Sequence, residues 1–257
     1  INIDEDKMTI QFTSKKVGEL LKEGNLRIPS YQRPYKWNRK HIRNLFYDLR
    51  DAMGKKEYQI GSVILHENDG YLDIVDGQQR LISISLFLHL LDDLENYKGA
   101  KQLLSATVFG ELSCYHASEN YNEWENLTQL VGENQAKDIC NFLLENCSVS
   151  VITMPQKRLS EAFQLFDSQN NRGKSLEPHD LLKAYHLRKQ DTEDERIVEK
   201  WEQFVEDEDL SLKELFDKHL FRMRRWSRGE TGLTNKRYGS YLRFTEDFID
   251  DFKGVDL

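Results

Sequence analysis

Apolar residues recur at helical spacing in some stretches of the chain and alternate in others. Between Arg39 and Met53, the positions Ile42, Leu45, Phe46, Leu49 and Met53 repeat at intervals of three and four, which lines one face of a helix capped by Asn38. Upstream, Met8 to Phe12 reads as a short strand. "TSKKVGELLKEGN" then reads as a short helix with Thr13 or Ser14 as cap and Gly24-Asn25 as stop. "GSVILHENDGYLDIV" predicts a hairpin, with strands at Ser62 to Glu67 and Tyr71 to Val75 joined by an Asn-Asp-Gly turn. The apolar run from Leu81 to Leu91 reads as a buried helix. Ser83, Ser85 and His89 interrupt it, and it is too short to span a membrane.

Beyond this point the pattern is mainly helical, at Ala100 to Phe109, Tyr121 to Leu130 and Glu133 to Glu145. "SVSVITM", Ser148 to Met154, alternates and is short enough to add a strand to the hairpin. Helices at Ser160 to Ser168 and Pro178 to Arg188 flank "SQNNRGKSLEP". The acidic "QDTEDERIVEK" is a solvated connector into further helix that runs to about Arg225. The expected class is α+β, a short-sheet core followed by a predominantly helical subdomain. The divisions fall at residues 1–95, 96–190 with one returning strand, and a helical extension at 191–257. Ending on "GVDL", the extension is expected to lead to a region not present in this chain.

A chain of 257 residues with few prolines is long enough to bury a real core. Its net charge of −8 argues against a surface that coats nucleic acid everywhere, although local basic patches remain open. Cys114, Cys140 and Cys147 form no C-x-x-C pair, which fits a reducing compartment and small buried side chains. With no signal-like start and no membrane-length apolar run, the expected location is the cytoplasm.

The chemistry concentrates where the hairpin meets the apolar helix, in "VDGQQRL". A turn explains Asp76 as a helix cap with Gln79 reaching back three residues later, but it leaves Gln78 and Arg80 unexplained. The free N–H groups of a helix start attract anions, and an Arg beside them adds a two-pronged phosphate grip. Asp76 is suited to hold a metal-bound or attacking water. "IPSYQRPYKW" interleaves Tyr31, Tyr35 and Trp37 with Gln32, Arg33 and Lys36, a composition suited to stacking on a base and neutralising a phosphate. Tyr35 and Trp37 are equally suited to staple this loop to the helix that follows.

"SQNNRGKS" lacks the first glycine of a phosphate-binding P-loop and follows a helix rather than a strand, so that assignment is rejected. Asn170, Arg172 and Lys174 still offer donors in one turn. Asp180 and Lys183 lie one turn apart, which is also ordinary for a solvated helix. His179 and His186 have no third ligand at a matching spacing, so no metal site is assigned from them. No histidine-rich nuclease segment is present.

Three separated segments, "IPSYQRPYKW", "IVDGQQRL" and "FDSQNNRGKSLEPHDLLKAYHL", together resemble the N-terminal domain of GmrSD-type restriction enzymes, over about Thr9 to Leu187. The resemblance implies a small ParB-like α+β core with nucleoside triphosphate binding and hydrolysis, in defence against foreign, often modified, DNA. It assigns catalysis to Asp76, Gln78, Gln79 and Arg80. It assigns nucleotide binding to Tyr31, Gln32, Arg33, Gly77, Asn170, Arg172, Gly173, Asp180 and Lys183. If a nucleoside triphosphate is hydrolysed, Mg²⁺ is the expected cofactor. The resemblance also implies a missing HNH nuclease domain or subunit, and DNA as a partner through the full-length protein or an effector. Arg33, Arg80 and Arg172 are expected to surround the triphosphate.

Two other readings stay open. In one, a non-catalytic module binds or senses DNA, with "FRMRRWSR" supplying Arg222, Arg224, Arg225 and Trp226 as cationic and stacking surface. In the other, an interaction module uses the DGQQR segment only as a capped turn.

Overall fold

Residues 9–29, 32, 34–106, 111–156 and 215–229 are described by a computed structural model. The strands are β1 (Gln11–Lys16), β2 (Leu26–Arg27), β3 (Tyr58–Asn68), β4 (Tyr71–Asp76) and β5 (Cys147–Met154). They form one mixed sheet in the order β1-β5-β3-β4-β2. The helices are α1 (Val17–Lys22), α2 (Arg39–Ala52), α3 (Gln78–Leu90), α4 (Lys98–Ala106), α5 (Glu111–Val131), α6 (Glu133–Glu145) and α7 (Phe221–Ser227). The expected α+β class is correct.

The hairpin is β3 and β4, paired antiparallel, with Asp69 and Gly70 of its turn at positive φ. β5 adds to it as expected, parallel to β3, and carries β1 antiparallel on its other edge. Side chains alternate across the sheet. Val63 and Leu65 of β3, Ile74 of β4, and Cys147, Val149 and Val151 of β5 join the main apolar cluster with the helices. Ile64 and Ile152, one residue out of phase, are also buried but lie outside that cluster. Residues 97–151 thus complete the core that residues 17–88 begin.

Two sequence readings need correction. The first strand is not Met8 to Phe12: it runs from Gln11 to Lys16, through the residues expected to cap a helix, and α1 starts only at Val17. All six β1 residues pair with β5, and those ladder bonds outweigh the local capping preference of Thr13 and Ser14. The helix expected at Tyr121 to Leu130 begins at Glu111 and spans 21 residues. Asn38 caps α2 as expected, with its Oδ1 accepting from the Lys40 amide at 3.1 Å.

The centre of the helical layer is Trp124 of α5. It stacks on Phe87 of α3 at 4.3 Å between ring centroids and meets Phe46 of α2 edge-on at 6.3 Å. Its indole N–H donates to the Ser83 carbonyl at 3.0 Å. Arg43 of α2 grips the buried Glu123 carboxylate of α5 through two bonds, of 2.6 and 3.2 Å. α3 is apolar on every side and buried along nearly its whole length, which is what a helix surrounded by neighbours requires.

Burial also sets an alkaline limit. It pushes the Cys140 and Cys147 thiols from 9.0 up to about 12, and the Tyr35 phenol from 10.0 to about 12 against the opposing pull of its bonds to Ser83 and Asn120. In each case the neutral form is the one the fold accepts. Their contribution is therefore complete below about pH 9 and is lost as pH rises toward 12. The urea midpoint is expected to fall steadily across that window; a flat profile would contradict it. Cys114 is exposed, so one thiol is expected to react with a thiol reagent before unfolding.

The chain divides into two units, Ile1–Pro29 with Pro34–Arg172, and Ser30–Arg33 with Gly173–Leu257. The sheet and α1–α6 belong to the first. In the second, a π-helical turn at Leu215–Leu220 runs into α7. No described helix is long and apolar enough to cross a membrane. The helices expected at Ser160 to Ser168 and Pro178 to Arg188 lie outside the described residues.

Candidate functional site

The DGQQR segment is the junction between β4 and α3. Asp76 ends the strand. It does not cap the helix, as the sequence suggested: the cap position is Gly77, with φ of 95° and no side-chain cap bond. The strand has to turn abruptly into the helix, and at this positive φ glycine is the residue without a steric cost. Space adds a second requirement. A methyl group on Gly77 would lie 2.9 Å from Val63 Cγ2 and 3.4 Å from the Ser62 carbonyl oxygen, so the turn rests directly on β3.

Arg80, in the first turn of α3, reaches the same strand. Its Nη1 donates to the Ser62 carbonyl at 3.3 Å. The head lies over Gly61, where a methyl group would be only 2.9 Å from Nη1 and 3.1 Å from Cζ. Gly61 has φ of 121° and sits where the β3–β5 register slips between Gln59 and Ser62. Burial pulls the Arg80 pKa below its usual value and the Asp76 carboxylate acts against that pull. Even so, an arginine stays charged. Among the described residues the guanidinium makes one hydrogen bond, which leaves most of its five donors available to an oxyanion.

The two glutamines differ. Gln78 is buried at 7% exposure. Gln79 turns toward the Pro34–Trp37 segment and spends its amide there. Oε1 accepts from the Lys36 and Trp37 amides at 2.8 and 3.1 Å, and Nε2 donates to the Pro34 carbonyl at 3.1 Å. A single side chain thus supplies both donor and acceptor for an irregular stretch that cannot pair with itself.

Tyr35 deepens the attachment. It is fully buried, its hydroxyl shares a hydrogen bond of 2.6 Å with Ser83 and accepts from Asn120 at 2.7 Å, and its backbone N–H donates to Ser113 Oγ. Asn120 also donates to the Trp37 carbonyl. Tyr35 therefore staples the segment to α3 and α5 through its polar atoms. Trp37 makes the expected contact with α2, stacked on His41 at 5.3 Å.

Replacing Gln79 with alanine removes the partners of two loop amides, at about 1 kcal/mol per bond. Hydrogen exchange at the Lys36 and Trp37 amides is expected to speed up roughly tenfold or more while the rest of α3 stays protected. Unchanged exchange at both would show that the segment is held by Tyr35 alone.

Of the other expected site residues, Gln32 is half-buried and belongs to the second unit. Tyr31, Arg33, Asn170, Arg172, Gly173, Asp180 and Lys183 lie outside the described residues, so the expected meeting of Arg33, Arg80 and Arg172 is not visible. In the second unit Arg222 and Trp226 are exposed on α7, beside Arg224 and Arg225 in sequence. Sequence reasoning missed Gly61 and Ser62, although a glycine inside a strand pattern was the available signal.

No curated protein matches the chain. Residues 193–257 match a family of unknown function (DUF7834). Residues 17–187, most of the chain and all of α1–α6, match the family described as GmrSD restriction endonuclease, N-terminal domain. The three segments that resemble a restriction system all lie inside that match, and the chain belongs to the GmrSD N-terminal domain family.

Proposed function

We propose that the first turn of α3 and the β3 segment beneath it bind the phosphates of a nucleoside triphosphate, and that the domain hydrolyses it in the service of restriction of foreign DNA. The observation that carries this reading is Arg80. It is a half-buried cation seated on a glycine, with donors to spare, beside the N–H groups of a helix start and next to Asp76. Arginine in this position neutralises charge on the transferred phosphoryl group. Gln78 and Gln79 shape the turn, and Asp76, the carboxylate beside Arg80, would hold water or a metal ion.

Mg²⁺ fits this donor set as a companion of the nucleotide. Such ions are commonly held by one or two carboxylates together with substrate phosphates, and no group of three or more His, Cys, Asp or Glu suited to a metal occurs among the described residues. When bound, the ion would neutralise charge on the β- and γ-phosphates. Phosphate release should be followed with each of the four common NTPs, with Mg²⁺ or EDTA, with and without DNA. Release from at least one NTP, abolished by EDTA, is expected; no release from any of them under any of these conditions would end the catalytic reading.

A second reading, DNA contact without catalysis, is favoured by α7. Residues 215–229 carry Lys218, Arg222, Arg224, Arg225 and Arg228 against one carboxylate, Asp217, in a chain of net charge −8. Trp226 and Met223 are both 61% exposed there. Binding to DNA that weakens steeply with salt, without turnover of any nucleotide, would favour it.

A further inference from the structure

The DGQQR segment ends at Arg80, but what fixes the guanidinium lies outside it, on the neighbouring strand. Gly61 interrupts β3 at a register slip and holds a φ of 121°, a backbone state that side-chain-bearing residues rarely adopt. The space left by its missing side chain is occupied by Arg80: a methyl group there would meet Nη1, Nη2 and Cζ at 2.9, 3.0 and 3.1 Å. The next residue, Ser62, presents its carbonyl to Nη1 at 3.3 Å. The strand therefore supplies both a floor and an anchor for the guanidinium. A free arginine head samples many rotamers, and ordering it on ligand binding costs affinity, whereas a seated one has already been ordered during folding.

We infer that Gly61 is a positioning residue for ligand capture: its missing side chain and its slipped register make the seat that orients the Arg80 fork toward an incoming phosphate. This rests on the nucleotide reading of the α3 turn. Gly61 touches no ligand in this account and acts only through Arg80. Whatever the Gly61→Ala change does to nucleotide affinity should therefore vanish once Arg80 is gone. A residue that merely keeps β3 folded would behave differently, because its loss would weaken binding in either background.

The test is a cycle of four versions of the 257-residue chain: wild type, Gly61→Ala, Arg80→Ala and the double variant. Each is titrated with a non-hydrolysable triphosphate and Mg²⁺, and each thermal midpoint is measured. Gly61→Ala is expected to weaken binding roughly ten- to a hundredfold, as misplacing a fixed group does, with no further loss when added to Arg80→Ala. Its drop in midpoint is expected to be smaller in the Arg80→Ala background, where no guanidinium crowds the new methyl group. Wild-type affinity in Gly61→Ala, or equal weakening in both backgrounds, would overturn the inference.

If Gly61→Ala alone does not fold, recovery of folding in the double variant supports the seat, and failure of both variants overturns it. If the wild-type chain binds no triphosphate, the nucleotide reading fails first and takes the ligand part of the inference with it. The midpoints then decide the seat alone, and strictly additive drops count against it.

Discussion

Replacing Arg80 with alanine is expected to reduce nucleotide turnover at least about a hundredfold, the scale on which enzymes lose rate when one preorganised donor to a developing negative charge is removed. The fold should tolerate the change. Among the described residues the side chain makes a single hydrogen bond, to the Ser62 carbonyl, and that carbonyl lies at a strand irregularity. One such bond is worth about 1 kcal/mol, so the thermal midpoint should move by only a few degrees. Phosphate release and calorimetry on the same sample separate the two effects. Turnover at the wild-type rate would remove Arg80 from the chemistry. A collapse of the midpoint would mean that its role is structural.

The largest loss of stability is expected from Trp124→Ala. The indole is fully buried, stacked against Phe87 and touching Phe46, so three helices lose their common contact together. Truncations of this kind cost about 3–5 kcal/mol, and here the Ser83 carbonyl also loses its indole donor. The consequences should spread toward the site. Ser83 shares a hydrogen bond with the Tyr35 hydroxyl and its own Oγ donates to the Gln79 carbonyl, so the helix that carries Trp124 also braces the turn that carries Gln79. Chemical unfolding should show the drop; a change below about 1 kcal/mol would mean that the site can collapse around the missing ring.

Local patterns made part of this architecture readable. The three-and-four spacing from Ile42 to Leu49 and the Asn38 cap located α2, and the Asn-Asp-Gly turn between alternating runs located the hairpin. β1 was harder to see because "QFTSKK" has a single apolar residue, the exposed Phe12; an edge strand exposed on each side lacks the alternation that identifies a half-buried one. Its position depends on β5, more than a hundred residues away, and only the pairing between them reveals it.

The site divides along the same line. The β4–α3 junction stood out in sequence as the candidate site, because an Asp, a Gly, two amides and an Arg between a strand and an apolar helix exceed what a turn requires. The use made of each group was not. Asp76 looked like the helix cap because carboxylates favour that position, yet the turn needs a positive φ and Gly77 takes the place. Gln79 looked like the reach-back partner of an Asp76 cap, three residues away; its actual partners at Pro34, Lys36 and Trp37 lie more than forty residues upstream. Gly61 could be read in sequence as an irregularity within a strand, but not as the seat of Arg80, since the head that fills its empty side comes from another element.

Every role proposed for the site requires the Arg80 fork to receive phosphate. The side-chain Nε–H resonance of Arg80, assigned by its absence in Arg80→Ala, should be followed by NMR as a non-hydrolysable triphosphate and Mg²⁺ are added. A saturable shift of that resonance, with a midpoint matching the dissociation constant measured by calorimetry, is the expected result. A resonance that stays in place while the nucleotide binds, or a protein that binds no nucleotide at all, would contradict it.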